Sequence, residues 1–265
     1  MSELSQRLDE IRAGNRAALV GYLPTGFPNL PYSIRAVEAM IEGGVDIVEV
    51  GLPYSDPVMD GPTIQAAAEQ ALAGGVRATD AFDVVRASVA AGAPTVIMTY
   101  WNPVERFGVD RFAAALADAG GSGLITPDLI PDEAGEWTAA AKAHGLDQIF
   151  LVAPSSTDAR LAMTAEASSG FIYAAAVMGV TGQREQTSSL APELVARLRK
   201  VTDKPLGVGI GVSNGTQAHE VAKFADAVIV GSALVRCLLD APDEAAGLDA
   251  IRALAADLRA GVERN

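Results

Sequence analysis

Eight short apolar segments alternate with alanine-rich helical segments along the whole chain. They are continuous runs rich in β-branched residues, without the polar alternation of a one-sided sheet, and this is typical of parallel strands covered on both faces. The predicted strands are Ala17–Tyr22, Val45–Val50, Thr95–Tyr100, Gly123–Thr126, Gln148–Val152, Phe171–Ala175, Leu206–Gly209 and Ala227–Val230. Eight such repeats predict an α/β fold of the (β/α)8 TIM barrel type, with an open doubly wound sheet as the alternative.

Helical patterns occupy the intervals between these strands. They include Tyr32–Glu42, Thr63–Ala73, Asp80–Ala91, Arg111–Ala119, Asp132–Ala143, Pro192–Val201 and Gln217–Phe224. Two of them fall between the second and third strands, so we expect one extra helix there, and the amphipathic N-terminal segment predicts another helix before the first strand. Because no linker or low-complexity tract divides the chain, residues 1–265 are predicted to form a single domain.

Composition narrows the class of protein. The formal net charge is −13, with 20 basic residues against 33 acidic ones, which argues against a nucleic-acid-binding surface. The single cysteine, Cys237, excludes an internal disulfide and lies in an apolar stretch, where we expect an inert core thiol. The N-terminal segment lacks the pattern of a signal peptide and no apolar run is long enough to cross a bilayer, so we expect a cytoplasmic protein.

A barrel of this kind places its catalytic groups in the loops that follow the strands. Both histidines, His144 and His219, fall in helical segments or at their ends, which argues against a zinc site or a Ser-His-Asp triad. The four lysines also lie in helices or just before a strand, so a Schiff-base mechanism is not expected. The lysines are Lys142, Lys200, Lys204 and Lys223.

Carboxylates do occur at the predicted catalytic end. Glu49 lies near the end of the second strand, Asp56 and Asp60 are in the loop after it, and Asp128 follows the fourth strand. A glutamate in an apolar setting has a raised pKa and is suited to acid–base catalysis, although a structural ion pair would also explain it. For Asp56 and Asp60 the alternative is turn formation, because Ser-Asp-Pro and Asp-Gly-Pro are common turn sequences.

Glycine-rich loops follow the last two strands. The sequence "GVGIGVSNG" covers the end of the seventh strand and "VGSALV" follows the eighth, and loops at these places in barrels often bind a phosphate group through backbone amides. Tight turns without a ligand are the alternative. The loop "AVMGVTGQREQTSSLAPE" after the sixth strand is long enough to act as a lid, or to be a surface loop without a role.

Together these segments resemble the tryptophan synthase alpha subunit family over nearly the whole chain. The matching motifs are Glu49-Val50-Gly51, Pro53–Pro57, Asp60–Gln65, Gly123–Leu129, Gly179–Gly182, Gly209–Ser213 and Gly231–Ala233. The resemblance implies a lyase that splits indole-3-glycerol phosphate into indole and glyceraldehyde 3-phosphate. It also implies a partner, the pyridoxal phosphate-dependent β subunit, which receives the indole in an α2β2 heterotetramer. No cofactor is expected in the present chain.

The resemblance implies a role for each site residue. Glu49 would be the acid–base group, and Asp60 would accept a hydrogen bond from the indole N–H. Thr181 would close the lid by pairing with Asp60. The remaining implied positions are Tyr173 in the indole pocket, Gly182, Gly211, Gly231 and Ser232 around the phosphate, and Pro53 and Asp56 facing the β subunit.

Two positions depart from the family pattern. Met178 stands where many relatives have arginine, and Tyr22 stands where phenylalanine is common. These departures concern the lid and the indole pocket rather than the two carboxylates. The rival hypotheses are a phosphate-binding barrel isomerase, an indole-glycerol-phosphate synthase, which requires a catalytic lysine at a strand end, and a catalytically silent barrel that only activates a partner.

Overall fold

The computed structural model of the chain describes residues 2–176 and 190–264. Within them, eight parallel strands form a closed barrel in chain order. The strands are β1 (Ala18–Pro24), β2 (Ile47–Gly51), β3 (Thr95–Met98), β4 (Gly123–Thr126), β5 (Asp147–Val152), β6 (Ile172–Ala175), β7 (Leu206–Gly209) and β8 (Ala227–Val230). Because β1 pairs with both β2 and β8, the predicted barrel is confirmed and the open sheet is wrong.

Helices cover the outside of this barrel and one of its ends. They are α1 (Glu3–Ala13), α2 (Leu30–Glu42), α3 (Pro62–Ala73), α4 (Ala78–Ala90), α5 (Trp101–Phe107), α6 (Val109–Asp118), α7 (Gly135–His144), α8 (Asp158–Ala167), α9 (Leu190–Leu198), α10 (Gly215–Ala222), α11 (Ser232–Leu239) and α12 (Glu244–Gly261). Both α3 and α4 lie between β2 and β3, and α1 precedes β1. The extra helix and the N-terminal helix are therefore confirmed.

Several predicted boundaries differ from the structure by two or three residues, and two of these differences have a local reason. The helix predicted to start at Asp132 begins only at Gly135, because Pro131–Glu133 forms a separate 3-10 turn that ends at Ala134. The third strand ends at Met98 rather than at Tyr100. Tyr100 keeps an extended backbone but serves as the residue that precedes α5, so its side chain belongs to the loops at the end of the barrel.

Side-chain caps set the start of several helices. Asn29, Thr157, Asn214 and Asp243 each accept a hydrogen bond from the backbone N–H three residues later, before α2, α8, α10 and α12 respectively. Each such cap contributes about 1 kcal/mol by satisfying an N–H that the helix itself leaves without a partner. The helices that follow β1, β5 and β7 thus all begin at the same end of the barrel, where these strands end.

The core has an inner and an outer part. Inside the barrel, apolar side chains of the strands, among them Ile47, Ile125 and Phe171, form one buried cluster. Leu4 and Leu8 of α1 belong to this same cluster, so α1 closes the N-terminal end of the barrel. A larger second cluster fills the space between the outer face of the strands and the helices.

Three buried aspartates at that closed end bind side chains of α1 and of the residues next to it. Ser2 donates a hydrogen bond to Asp147, and Arg12 lies 3.4 Å from a carboxylate oxygen of Asp226. The guanidinium of Arg16, just after α1, makes two hydrogen bonds to Asp46 at 2.5 and 2.6 Å. Because one end of the barrel is sealed in this way, a ligand can enter only from the other end.

Candidate active site

Glu49 is the middle residue of β2 and faces the interior of the barrel. It alternates with Ile47, which belongs to the inner cluster, and it pairs in register with Tyr22 of β1. Its side chain is 1% exposed, and within the described part of the chain its Oε2 atom has no hydrogen-bond partner. Burial, together with the charge of Asp60, raises the pKa of Glu49 to about 8.

The environment of Glu49 does not fit a structural ion pair. No positive charge contributes to its pKa, and the carboxyl oxygen Oε2 has neither a cation nor an N–H donor beside it in the described residues. A carboxyl group that nothing stabilises as an anion remains protonated at neutral pH. Glu49 is therefore a buried acid that holds its proton at neutral pH, which is the property that a proton-carrying group requires.

Asp60 lies in the loop between β2 and α3, and a tyrosine from the next strand's loop holds it. The hydroxyl of Tyr100 donates a 3.0 Å hydrogen bond to Oδ1 of Asp60, and the backbone carbonyl of Asp60 accepts one from Gln65. Partial burial raises the pKa of Asp60, whereas the bond from Tyr100 opposes that rise. The two carboxyl groups thus have different surroundings, because Asp60 accepts a hydrogen bond from Tyr100 whereas Oε2 of Glu49 has no donor among the described residues.

Two further tyrosines line the mouth beside Glu49. Tyr22 is 9% exposed, and Tyr173 of β6 is half-buried and pairs in register with Gly207 of β7. Burial raises the pKa of both hydroxyls well above the ordinary value for tyrosine, and the charge of Glu49 adds to the rise. A side chain at Gly209 would come within 2.6 Å of the Tyr173 hydroxyl, so glycine there leaves room for the ring.

The predicted phosphate-binding residues lie at the ends of β7 and β8. Gly211 is exposed, has φ +81°, and no heavy atom lies within 4 Å of where a Cβ would be, so its backbone is open to a ligand. Gly231 precedes α11, which begins at Ser232. Gly231 also lies against the ring of Tyr22. Tyr22 is thus next to Gly231 on one side and is the register partner of Glu49 on the other.

Residues 177–189, most of the predicted lid, lie outside the described residues, and four of them carry predictions. They are Met178, Gly179, Thr181 and Gly182. The expected pairing of Thr181 with Asp60, the expected phosphate contact of Gly182 and the effect of Met178 stay predictions.

The loop after β2 presents apolar side chains to solvent. Val58 is 76% exposed and Met59 is 48% exposed, and Asp56 next to them is exposed as well. Pro53, which was expected to face a partner together with Asp56, is buried within the chain. The exposed residues of this loop are therefore Ser55, Asp56, Val58 and Met59.

Other candidate residues have structural roles. His144 bonds Asp110 at 2.9 Å at the end of α7, and His219 lies within α10. Asp128 accepts a hydrogen bond from the backbone N–H of Trp101 and so caps α5. Lys204 donates to backbone carbonyls at the end of α8, including that of Ser168. Cys237 is only partly buried, so the predicted core position is wrong in degree, and burial raises the pKa of its thiol.

Tyr100 is the site residue that sequence reasoning missed. Its position at the end of a predicted strand was the available signal, since the same rule selected Glu49. The sequence pattern makes Tyr100 the last residue of the predicted strand Thr95–Tyr100, whereas in the structure it lies beyond the strand, next to Asp60.

The described residues contain neither a metal-binding cluster nor a helix that could span a membrane. Among residues 2–176 and 190–264, no group of three or more histidine, cysteine, aspartate or glutamate side chains is arranged to hold a metal ion. In the same ranges, no helix combines the length and the apolar character that crossing a bilayer requires.

Known proteins with similar sequences share one description. The family model "Tryptophan synthase alpha chain" matches residues 8–262. The tryptophan synthase alpha chain of Salinispora arenicola is 63% identical over 262 residues, which are 99% of this chain and 98% of the relative. That of Acidothermus cellulolyticus is 60% identical over 264 residues, covering 100% of this chain and 98% of the relative.

Solved structures agree with the sequence relatives. A structure of Mycobacterium tuberculosis tryptophan synthase superposes with a TM-score of 0.94 at 58% identity and covers 100% of this chain and 99% of its own. The alpha subunit of Legionella pneumophila tryptophan synthase gives a TM-score of 0.87 at 32% identity and covers 99% of this chain and 98% of its own. Because the family model and these relatives span almost all of the sequence, the chain belongs to the tryptophan synthase alpha chain family.

Proposed function

We propose that Glu49 and Asp60 divide the chemistry by which this chain cleaves indole-3-glycerol phosphate to indole and glyceraldehyde 3-phosphate. The reaction is that of the tryptophan synthase alpha chain family, whose members are carbon–carbon lyases. The observation that supports the assignment most strongly is the buried Glu49 carboxyl group, which has no partner for Oε2 and a pKa of about 8. The catalytic unit is proposed to be one barrel domain spanning residues 1–265.

The difficult step is the departure of the indole ring. The ring carbon C3 is bonded to the glycerol chain, and it leaves readily only after it accepts a proton. A glutamic acid that is still protonated at neutral pH can donate that proton. The resulting Glu49 carboxylate then accepts the proton of the adjacent glycerol hydroxyl. As the C–C bond breaks, its electron pair returns to the ring and the hydroxyl carbon becomes the aldehyde, so Glu49 ends the cycle protonated.

Asp60 is proposed to remain ionised in the same step. Protonation of C3 places positive charge on the ring, and this charge is shared by the ring nitrogen. A carboxylate that accepts a hydrogen bond from the indole N–H stabilises that charge. The hydrogen bond that Tyr100 donates to Asp60 supports this assignment, because it favours the ionised carboxylate over the neutral acid.

The rest of the mouth is proposed to hold the substrate. Backbone amides at Gly211, Gly231 and Ser232 would bind the phosphate, with the N-terminus of α11 contributing its partial positive charge. Tyr173 would contact the indole ring. Thr181 and Gly182 are proposed to complete the site by closing over it and by adding one more amide.

A β subunit is the proposed partner. The alpha chain family works within tryptophan synthase, and the exposed Val58 and Met59 give the loop after β2 an apolar surface. We propose an α2β2 assembly in which the pyridoxal phosphate of the β subunit acts on the indole released here, while this chain itself needs no cofactor. A cytoplasmic location agrees with the lone cysteine.

The direct test is release of indole from indole-3-glycerol phosphate by the purified chain, with and without a tryptophan synthase β subunit. We expect slow release by the chain alone and faster release in the mixture, because a partner that contacts the loop of Asp60 favours its active arrangement. Absence of indole in both samples would contradict the proposed reaction and favour the silent barrel. Equal rates would contradict the partnership alone.

A further inference from the structure

The hydroxyl group of Tyr100 makes three hydrogen bonds to one short stretch of chain. The backbone N–H groups of Val58 and Met59 donate to it at 3.2 and 3.0 Å, and it donates to Oδ1 of Asp60 at 3.0 Å. A phenolic hydroxyl has one proton and two lone pairs. Because both amides can only donate, the two lone pairs are used by Val58 and Met59, and the single proton must point at Asp60.

This arrangement favours the ionised state of Asp60 and also holds its position. Oδ1 must act as an acceptor, which an ionised carboxylate does with either oxygen. The ring of Tyr100 is 5% exposed and packs against Tyr54, with 5.2 Å between the ring centroids, so the hydroxyl is held in place. Among the described residues, the titratable groups whose charges act on Asp60 or respond to it are Glu49, Tyr22 and Tyr100.

We propose that Tyr100 is a positioning residue for the lyase reaction, and that its hydroxyl fixes the residue 58–60 segment and aims an ionised Asp60 at the indole N–H. This inference rests on the proposed function, since it acts through the role assigned to Asp60. In the proposed mechanism, Tyr100 contacts neither the carboxyl group of Glu49 nor any reacting atom. Its effect is to keep Asp60 in one orientation and one charge state.

The test is Tyr100→Phe, which removes one oxygen atom and keeps the ring. Loss of a hydrogen bond to a charged group is expected to lower kcat roughly 10-fold or more, with a smaller change in KM. The acid limb of the kcat/KM profile is expected to move to higher pH, because Asp60 loses the donor that lowers its pKa. Tyr54→Phe is the matched control: Tyr54 lies in the same loop and its ring packs against Tyr100, but in the described part of the chain its hydroxyl accepts from Asn102 and not from the 58–60 segment.

A double-mutant cycle shows whether Tyr100 acts through Asp60. In the Asp60→Asn background, Tyr100→Phe is expected to cost less than about 2-fold. An equal cost in both backgrounds, or a Tyr100→Phe chain within about 2-fold of wild type, would overturn the proposal. Wild-type activity of Asp60→Asn with Tyr100 intact would instead contradict the proposed function, so the two failures are distinguishable.

Hydrogen exchange of backbone amides tests the hydrogen bonds of the Tyr100 hydroxyl without relying on catalysis. In Tyr100→Phe, the amide protons of Val58 and Met59 are expected to exchange faster than in wild type, because their acceptor is gone. Tyr54→Phe should leave both amides unchanged. Unchanged exchange in Tyr100→Phe would overturn the proposal even if the variant were inactive, since the loss would then have another cause.

Discussion

Tyr22 and Glu49 are partners in the register between β1 and β2, and both side chains face the interior at the open end of the barrel. The pairing places a buried aromatic ring beside a buried carboxyl group, and the charge of Glu49 raises the pKa of Tyr22 in turn. Tyr22 thus helps to exclude water from Glu49, and it carries no positive charge that would stabilise the Glu49 carboxylate. Its protonated state at neutral pH follows from this geometry.

The activity of the chain should therefore fall at alkaline pH. Glu49 must carry a proton before it can donate one to the ring. At about pH 8, half of the Glu49 side chains in the population are ionised. We expect kcat/KM to decrease about tenfold per pH unit above that value. The measurement is kcat/KM for indole release over roughly pH 6 to 10. A profile that stays level through about pH 9.5 would contradict the assigned protonation state.

Stability should depend on pH through the same group. The pKa of Glu49 is higher in the folded chain than the ordinary 4.5, so the native state binds the proton more tightly. Its contribution is complete below pH 4.5 and is lost as the pH rises through about 8. Glu49→Gln, which cannot ionise, should therefore gain on the order of 3–5 kcal/mol relative to wild type between about pH 5 and pH 9.

Denaturant unfolding at several pH values measures this difference. The control is Glu69→Gln, the same substitution at an exposed glutamate of α3. If the gap between wild type and Glu49→Gln were independent of pH, Glu49 would not be the buried acid that the structure describes.

Asp60 and Asp56 provide a matched pair in one loop. Asp60→Asn should lower kcat roughly 10²-fold or more, because a neutral amide stabilises the charged ring less than a carboxylate does. Asp56→Asn in the isolated chain should remain near wild type, since that side chain is exposed and, within the residues described, accepts a hydrogen bond from the hydroxyl of its neighbour Ser55 alone. Equal losses in the two variants would mean that Asp60 only shapes the turn.

The partner surface can be tested with two valines at opposite ends of the barrel. Val58 is 76% exposed at the open end, and Val201 is 44% exposed at the closed end. Val58→Ser should weaken binding of a tryptophan synthase β subunit by about 10-fold through loss of apolar contact area. Val201→Ser should not change the Kd measured by calorimetry. The reverse pattern would place the interface at the other end.

The barrel could be predicted from the sequence because its signals repeat. Buried parallel strands must be apolar throughout, and eight of them in one chain leave few closed arrangements. Glu49 was also predictable, since a carboxyl group in such a strand breaks the pattern. The break between Glu133 and Gly135 was not, because acidic residues after Pro131 fit a 3-10 turn as well as a helix start.

The position of Tyr100 at a predicted strand end was visible in the sequence, but its contact with Asp60 was not, for a different reason. A tyrosine suits a strand by its intrinsic preference, and its contact with Asp60 joins positions 40 residues apart. The burial of Pro53 has the same origin: loop packing depends on tertiary contacts that local patterns do not contain. Sequence alone thus located the two carboxyl groups but not the tyrosine that distinguishes their surroundings.

The central claim is that the proton needed for cleavage is carried by Glu49, and single-turnover indole release by Glu49→Gln tests it most directly. With enzyme in excess over indole-3-glycerol phosphate, the account predicts a rate at least about 10²-fold below wild type. Binding of glyceraldehyde 3-phosphate to the same preparation should persist. A Glu49→Gln chain that releases indole within about 2-fold of the wild-type rate would contradict the account.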